Sequence, residues 1–356
     1  MPRNSLCLKI PKISGEKAIT AANRLSVIDK ELEIQRNNAH IYIPITRNLL
    51  PEELETLKKL IPNFEFSTYI FKERKKHPAT LLELLYGKLP PHLLASLPRA
   101  IDFVGDIAII EIPQELEAYK TEIGNAIMQS HKNVRTVLAK AGPVKGKYRL
   151  REFTHIAGEN RSKTLHKEHG CKYYVDLARV YFSPHLSNEH KRVASAVKEG
   201  ETVIDMFAGV GPYAILIAKT HENVKIYAID INPDAIDFLE KNIRLNRVDE
   251  KVRPILGDAK QIVGQQLRGV ADRVIMNLPE KAMEFIGTAC EALKPEGGII
   301  HFYSFISLSD SLENLKIRFT RKIEKFGRKT EKILLVRLIR ETAPYEWQAV
   351  LDAEIR

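Results

Sequence analysis

The chain is short of cysteine: Cys7, Cys171 and Cys290 are the only three in 356 residues, and they lie far apart. That excludes a disulfide scaffold and argues for a reducing compartment, so a cytoplasmic location is expected. Long apolar runs are also missing. No stretch approaches the roughly 18 consecutive apolar residues of a membrane span, and no membrane partner is expected. The first residues, Met-Pro-Arg-Asn-Ser-Leu-Cys, lack the apolar centre of a secretion signal. Compositional bias is absent too, with 44% hydrophobic and 28% charged residues, which excludes disordered, collagen-like and low-complexity chains. At about 150 residues per domain, the length allows two to three domains.

What the chain has in excess is positive charge, a formal +10 with an isoelectric point near 9.3. The basic residues crowd into Lys72–Lys76, Lys140–Arg151 (Lys140, Lys145, Lys147, Arg149, Arg151), Arg161–Lys167 and Lys316–Lys332. Several of these lie in turn-like, Gly- and Pro-containing segments that can lay Lys and Arg along phosphates. One such run reads as a solvated face; four favour a nucleic-acid partner.

The first 71 residues read as a small α+β unit. Leu6–Ile10, His40–Ile43 and Phe64–Phe71 are strand-like, and Lys17–Leu25 and Pro51–Leu60 helical. The charged run Lys72–Pro78 marks a boundary, with Lys72–Lys76 as a hinge. Residues 78–184 form an α+β middle domain, with helices at Thr80–Leu85 and Pro113–Met128 and strands at Ile101–Ile112 and Val134–Ala139. Arg149–Ile156 and Cys171–Phe182 read as an antiparallel ribbon. In residues 185–356, apolar runs at Thr202–Phe207, Val224–Asp230, Val252–Leu256, Ala271–Met276 and Ile299–Tyr303 alternate with helical stretches. That alternation predicts a doubly wound, mostly parallel α/β sheet, with Lys332–Ile339 as its last strand.

The first strand of that region leads into Asp205-Met-Phe-Ala-Gly-Val-Gly-Pro-Tyr-Ala214. Gly209 and Gly211, between a strand and a helix, let a ligand approach the backbone closely. The spacing Gly209-x-Gly211-x-x-Ala214 suits a dinucleotide, and Asp230 closes the next strand at the right distance for a ribose. An NAD dehydrogenase and a methyltransferase both fit this turn. Three details favour the second. Asp205 precedes the glycines, where a carboxylate suits a cationic α-amino group better than a pyrophosphate. Asp258 closes the third strand as a partner for an adenine amino group, and Asn277, in Asn277-Leu-Pro279, ends the fourth at the edge where α/β sheets bind ligands. Each aspartate alone would pass as a strand-end turn residue. Together they point to a nucleoside cofactor, S-adenosylmethionine.

With Ala157-Gly-Glu-Asn, His166-Lys-Glu-His-Gly-Cys, Val180-Tyr-Phe-Ser-Pro-His-Leu-Ser, the glycine turn and Asn277-Leu-Pro, the chain resembles a known family. This is the archaeal and eukaryotic tRNA (guanine-N1)-methyltransferases, which act on the guanine 3′ of the anticodon. The likeness covers roughly residues 80–340. More weakly, the first seventy residues are similar to the small domain that many archaeal members use to touch the tRNA elbow. The resemblance implies a Rossmann-like class I methyltransferase fold. It also implies S-adenosylmethionine as cofactor, tRNA as partner through its anticodon stem-loop and elbow, and a monomer.

Guanine N1 carries a proton at neutral pH, so its methylation needs a base for that proton and a donor for the charge growing on O6. The resemblance assigns Glu189 as the base and Arg149 as the O6 donor, with Arg151 a competing candidate. It makes Asn277 a contact to both cofactor and target base. The implied cofactor set is Tyr181, His190, Asp205, Phe207, Gly209, Gly211, Asp230, Ile231, Asp258, Ala259, Asn277 and Pro279. From the residues alone Glu189 would pass as a first-turn helix glutamate and Tyr181 as a half-buried strand aromatic. His185 and His190 stand where arginines are expected, which removes two permanent charges.

Leu278 and Glu280 occupy positions that are proline and aromatic in enzymes acting on exocyclic amines, which disfavours such substrates. His166-Lys-Glu-His169-Gly-Cys171 holds ligand-type residues, but no second cluster completes a zinc site and no metal is expected. Tyr345 and Trp347 are read as aromatics docked on a helix, and Cys290 as packed core. Two other functions remain open. One is a wyosine-pathway relative, methylating a tricyclic guanine or transferring the aminocarboxypropyl group. The other is a non-catalytic RNA-binding protein.

Overall fold

The computed structural model describes residues 2–74 and 80–356. Lys75 and Lys76 of the expected hinge, and Pro78 of the expected boundary, lie outside the described residues. Contacts divide the chain into two compact units, Met1–Thr80 and Leu81–Arg356.

In the first unit, β1 (Arg3–Pro11) is followed by α1 (Gly15–Arg24), β2 (Gln35–Arg36), β3 (His40–Pro44), α2 (Pro51–Leu60) and β4 (Glu65–Phe71). The strands make an antiparallel sheet in the order β2-β3-β1-β4. Leu8 and Ile10, two apart on β1, share one face and bury themselves with Ala18 and Ala22 of α1 and Leu57 of α2.

The second unit opens with α3 (Leu81–Leu85), α4 (Pro91–Leu94), β5 (Ile101–Val104), β6 (Ile107–Ile110), α5 (Lys120–Ser130), β7 (Thr136–Lys140) and β8 (Phe153–Gly158). Its four strands form one sheet in sequence order. A two-stranded ribbon follows, β9 (Lys163–Glu168) with β10 (Cys171–Asp176). Then come α6 (Ser187–Ala196), β11 (Thr202–Asp205), α7 (Pro212–Thr220), β12 (Lys225–Asp230), α8 (Pro233–Asn246), β13 (Val252–Leu256), α9 (Ala259–Ile262) and β14 (Arg273–Met276). The chain closes with α10 (Ile286–Ala292), β15 (Gly298–Ser307), α11 (Leu312–Glu324), β16 (Thr330–Ala343) and β17 (Glu346–Ile355).

These last strands build a seven-stranded sheet, β13-β12-β11-β14-β15-β17-β16. The first five are parallel, and β17 runs antiparallel between β15 and β16. The strand order reverses between β11 and β14, so a crevice opens at their carboxyl ends. This is the expected Rossmann-like doubly wound architecture. One core cluster joins the two sheets: Val104, Ile107, Ile109 and Leu138 of the smaller sheet pack with Val203 of the larger and with Tyr213 and Ile217 of α7.

Several local expectations are corrected. Ile101–Ile112 is a hairpin, β5 and β6, turning at Gly105 (φ +59°), where a side chain would run into Thr164 and Leu165. The ribbon expected between Arg149–Ile156 and Cys171–Phe182 does not form. β8 pairs with β7 instead, while β10 pairs with β9 across the turn at His169 and Gly170. A final strand, β17, was not foreseen, because its apolar core, Ala349-Val-Leu351, is short and lies at the end of the chain. Trp347 belongs to it, partly buried against the core, whereas Tyr345 is exposed in the turn before it. The basic residues of Arg328–Lys332 lie at the amino-terminal edge of the sheet, opposite the crevice. Arg328 donates there to the Cys290, Leu293 and Pro295 carbonyls. The Lys316–Lys332 run is therefore largely helix α11 and the turn after it, rather than loops beside the site.

Candidate active site

Two cavities meet at the crevice. The first, about 390 Å³, is walled by Met206, Phe207 and Gly209 after β11, Asp230 and Ile231 after β12, Asp258 and Ala259 after β13, and Asn277 after β14. The second, about 340 Å³, lies between the two sheets and is lined among others by Lys140, Arg151, Phe182, His185 and Arg340. Arg149, Tyr181 and Glu280 belong to the walls of both. A chamber of about 50 Å³ adjoins them, bounded by Tyr181, His190, Phe207, Gly209, Val210 and Asn277.

The glycine turn serves these spaces unequally. Gly209 (φ +55°) has only the Tyr181 carbonyl within 3.8 Å of where a side chain would start, so its face is open to the cavity. Gly211 (φ +94°) lines none of the three cavities. A side chain there would run into Leu239 of α8 and Ile215, so close helix packing demands this glycine, not a ligand.

Asp230 lines the first cavity and fixes the turn as well. One oxygen accepts from the Gly209 amide (2.7 Å) and the other from the Asn232 amide (2.8 Å), while burial pushes its carboxyl upward. Asp258 accepts from the Lys260 amide (2.8 Å), capping α9 while facing the cavity. Asp205 lies beneath, fully buried, and lines none of the cavities. One oxygen accepts a long bond from the Phe207 amide (3.4 Å) and the other has no partner. Burial, aided by the nearby Asp230 charge and opposed by that bond, pushes its carboxyl up to about 7. Pro279 is buried outside the cavity walls, and its neighbours Leu278 and Glu280 line them instead. Asn277 lines the first cavity and the chamber, its oxygen 3.4 Å from the Gln348 amide.

Arg149 sits in the left-handed region (φ +56°), which turns its side chain into the junction. Its guanidinium lies 4.6 Å over the Tyr181 ring and 3.3 Å from Glu280, and its buried Nε has no partner. Arg151 lines only the second cavity. Of the two expected candidates, Arg149 alone borders both spaces.

Glu189 is not brought to any of these cavities. It is 1% exposed on α6, and its oxygens are taken by Arg192 (2.9 Å), Arg337 and the Tyr303 hydroxyl (3.2 Å). Arg192 also binds Asp352. This buried network joins residues from α6, β15, β16 and β17, and no sequence motif announces it.

The two unexpected histidines each have a carboxylate partner. His185 Nε2 is 2.7 Å from Asp102, which Lys140 also approaches (3.3 Å). His190, 1% exposed, has its Nδ1 2.7 Å from Glu168 and its ring edge-on to Tyr213. Burial alone would raise the Glu168 carboxyl, but the His166 ring 3.7 Å away and the hydrogen bond from His190 hold it down at about 2. His166 is thus part of a buried pair network, and the segment it opens forms the β9–β10 turn.

Comparison with known proteins places these features. Residues 164–339 match the TRM5/TYW2 methyltransferase domain, residues 81–161 the TYW2 N-terminal domain, and residues 7–53 the tRNA methyltransferase 5 N-terminal domain. A Pyrococcus abyssi protein named tRNA (guanine(37)-N(1))-methyltransferase Trm5b is 40% identical over 99% of both chains. A Methanocaldococcus jannaschii protein of the same name is 37% identical over 98% of both. The solved complex of aTrm5 with tRNALeu is similar with a TM-score of 0.71 and 35% identity, covering 99% of this chain and 100% of that one. With likeness of this depth along its whole length, the chain belongs to the TRM5/TYW2 methyltransferase family.

Proposed function

We propose that this protein transfers the methyl group of S-adenosylmethionine to N1 of the guanine 3′ of the anticodon in tRNA. The observation that carries the reading is the shared wall of Arg149, Tyr181 and Glu280 between a nucleoside-sized cavity and a second one of mixed charge. Group transfer needs donor and acceptor within about 3–3.5 Å, so two pockets that meet are the minimum geometry.

The residues present fit this cofactor. Asp230 and Asp258 stand at the strand ends to accept from a ribose and an adenine amino group, flanked by Phe207, Ile231, Ala259 and Asn277. Asp205 lies buried beneath the turn with one oxygen unpartnered and lines none of the cavities, so its contact with an ammonium group requires the turn to shift. Tyr181 and His190 border the small chamber suited to an amino-acid tail. The cofactor, when bound, supplies an electrophilic methyl group on a sulfonium.

Arg149 donates to O6 as charge develops there, its side chain bordering both cavities. Asn277 orients the base against the cofactor. Glu189 takes the N1 proton after one of its oxygens exchanges a guanidinium partner for the base, a rearrangement its ties to Arg192 and Arg337 make necessary. Base extrusion from the anticodon loop costs on the order of a few kcal/mol. Lys140, Arg151 and Arg340, around the second cavity, offset it by holding phosphates.

The chain works in three parts: residues 1–71 on the tRNA elbow, 78–184 on the anticodon stem, and 185–356 on the cofactor. It acts as a monomer in the cytoplasm. The test is nucleoside analysis of tRNA incubated with the protein and S-adenosylmethionine; absence of 1-methylguanosine would refute the reading.

The match of residues 81–161 to the TYW2 N-terminal domain favours a second reading, aminocarboxypropyl transfer. Label in the cofactor methyl group, compared with label in its carboxyl group, separates the two.

A further inference from the structure

Asparagine side chains of α8 replace a missing strand. Among the described residues, β10 pairs with β9 along one edge only. Along its other edge, the Tyr174 amide donates to Asn242 Oδ1 (2.6 Å) and the Tyr174 carbonyl accepts from Asn242 Nδ2 (3.1 Å). One turn further along α8, Asn246 does the same for Lys172, at 2.9 and 2.6 Å. A side-chain amide has the donor and acceptor of a peptide group. Two of them four residues apart on a helix therefore match alternate residues of a strand edge. Both asparagines are buried, Asn242 completely.

The two are not equivalent. Asn246 Nδ2 spends its second hydrogen on the Asn242 carbonyl of its own helix (2.7 Å). Asn242 Nδ2 donates its second to the Val210 carbonyl (3.1 Å), between Gly209 and Gly211. A turn with glycine on both sides is free to flip its peptide planes, because neither glycine resists a change of φ. The bond from Asn242 opposes that flip. A second tie runs the same way, from the Tyr173 hydroxyl to the Pro212 carbonyl (3.3 Å). The segment that β10 leads into is fastened to the same helix: Asn232, the N-cap of α8, donates to the Arg179 carbonyl (2.8 Å), two residues before Tyr181.

We propose that Asn242 is a positioning residue for methyl transfer, locking the Val210 peptide of the glycine turn to the strand that delivers Tyr181. Gly209 of the turn and Tyr181 then line one cofactor cavity in a fixed relation. This rests on the cofactor reading above. Asn246 shares the helix, the burial and the strand edge, and differs in having no bond to the turn. It is the built-in control.

The test compares Asn242→Leu with Asn246→Leu in the full chain, by calorimetric binding of S-adenosylhomocysteine, melting temperature and steady-state methyl transfer to tRNA. Losing one buried hydrogen bond to the turn weakens cofactor binding about tenfold in Asn242→Leu. Asn246→Leu changes it less than about twofold, although both variants lose similar melting temperature because each breaks the same ladder. KM for the cofactor rises with the same selectivity, while KM for tRNA and the saturated rate stay near wild type. Tyr173→Phe keeps the ring and the ladder and removes the second tie, together with the hydroxyl's contact to the Cys171 thiol. It weakens cofactor binding about threefold even if Asn242→Leu does not fold.

Equal weakening by the two leucine variants, or none by Asn242→Leu and Tyr173→Phe, would overturn the positioning role alone. No binding of S-adenosylhomocysteine by the wild-type protein would overturn the cofactor reading, and this proposal with it.

Discussion

Glu189→Gln removes a negative charge where Arg192 (2.9 Å), Arg337 and the Tyr303 hydroxyl (3.2 Å) converge on one carboxylate. Breaking a buried ion pair outright costs about 3–5 kcal/mol. Two features reduce that here. Arg192 keeps Asp352, and the Arg337 side chain is 42% exposed and regains water. The amide oxygen also still accepts a bond. A loss of about 1–2 kcal/mol is expected, or roughly 2–8 °C in melting temperature for a unit of this size. Loss of a general base costs far more in rate, about 10²–10⁴-fold. The assay is single-turnover methyl transfer at saturating tRNA and cofactor, alongside the melting temperature and tRNA affinity. A variant that binds tRNA normally and methylates within about tenfold of wild type would refute the base assignment. Glu189 would then be a structural member of the network joining α6 to β15, β16 and β17.

Three further outcomes are expected. Arg149→Lys keeps a charge but loses the Nε–H and the fork over Tyr181, so methyl transfer falls about 10²-fold, while Arg151→Lys, bordering one cavity, falls much less. Asp205 has its carboxyl raised to about 7 in the fold. Between its ordinary value near 4 and about 7 the folded state holds the proton more tightly, so stability drains away as pH rises through that window. Asp205→Asn therefore gains melting temperature over wild type progressively from pH 4 to 7 and no further above it, yet binds S-adenosylmethionine more weakly; a pH-independent difference in melting temperature would refute this. Finally, Gly211→Ala, which meets Leu239, loses more melting temperature than Gly209→Ala, whereas Gly209→Ala loses more cofactor affinity. The reverse order would contradict the division of labour between the two glycines.

Much of the crevice was legible because its residues are local in sequence. A parallel strand ends, a turn follows, and the first polar residue after the apolar run faces the ligand edge. Asp230, Asp258 and Asn277 could be picked on that rule, and each lies in the cavity wall. The same rule failed for Gly211 and Pro279. Both belong to the right turns but point into packed protein, and one residue along a turn reverses the direction of a side chain. Strand pairing was legible only where apolar alternation singled out a partner. It misassigned β8 and β10, whose partners β7 and β9 lie on either side of the Gly142–Gly146 loop.

The sequence by itself determined the layered α/β architecture, the order of the glycine turn and strand-end acids, and the basic excess, because periodicity and turn chemistry act over a few residues. Only the tertiary structure decided which charges meet. It chose Arg149 over Arg151 as the residue at the junction, buried Glu189 among two arginines and a tyrosine, and gave His190 the carboxylate of Glu168. It also moved the basic stretch after α11 to the far edge of the sheet. Partners such as Glu189 and Arg337 stand 148 residues apart. Their meeting is set by the register of β16 against β17 and the packing of α6, which no local pattern encodes.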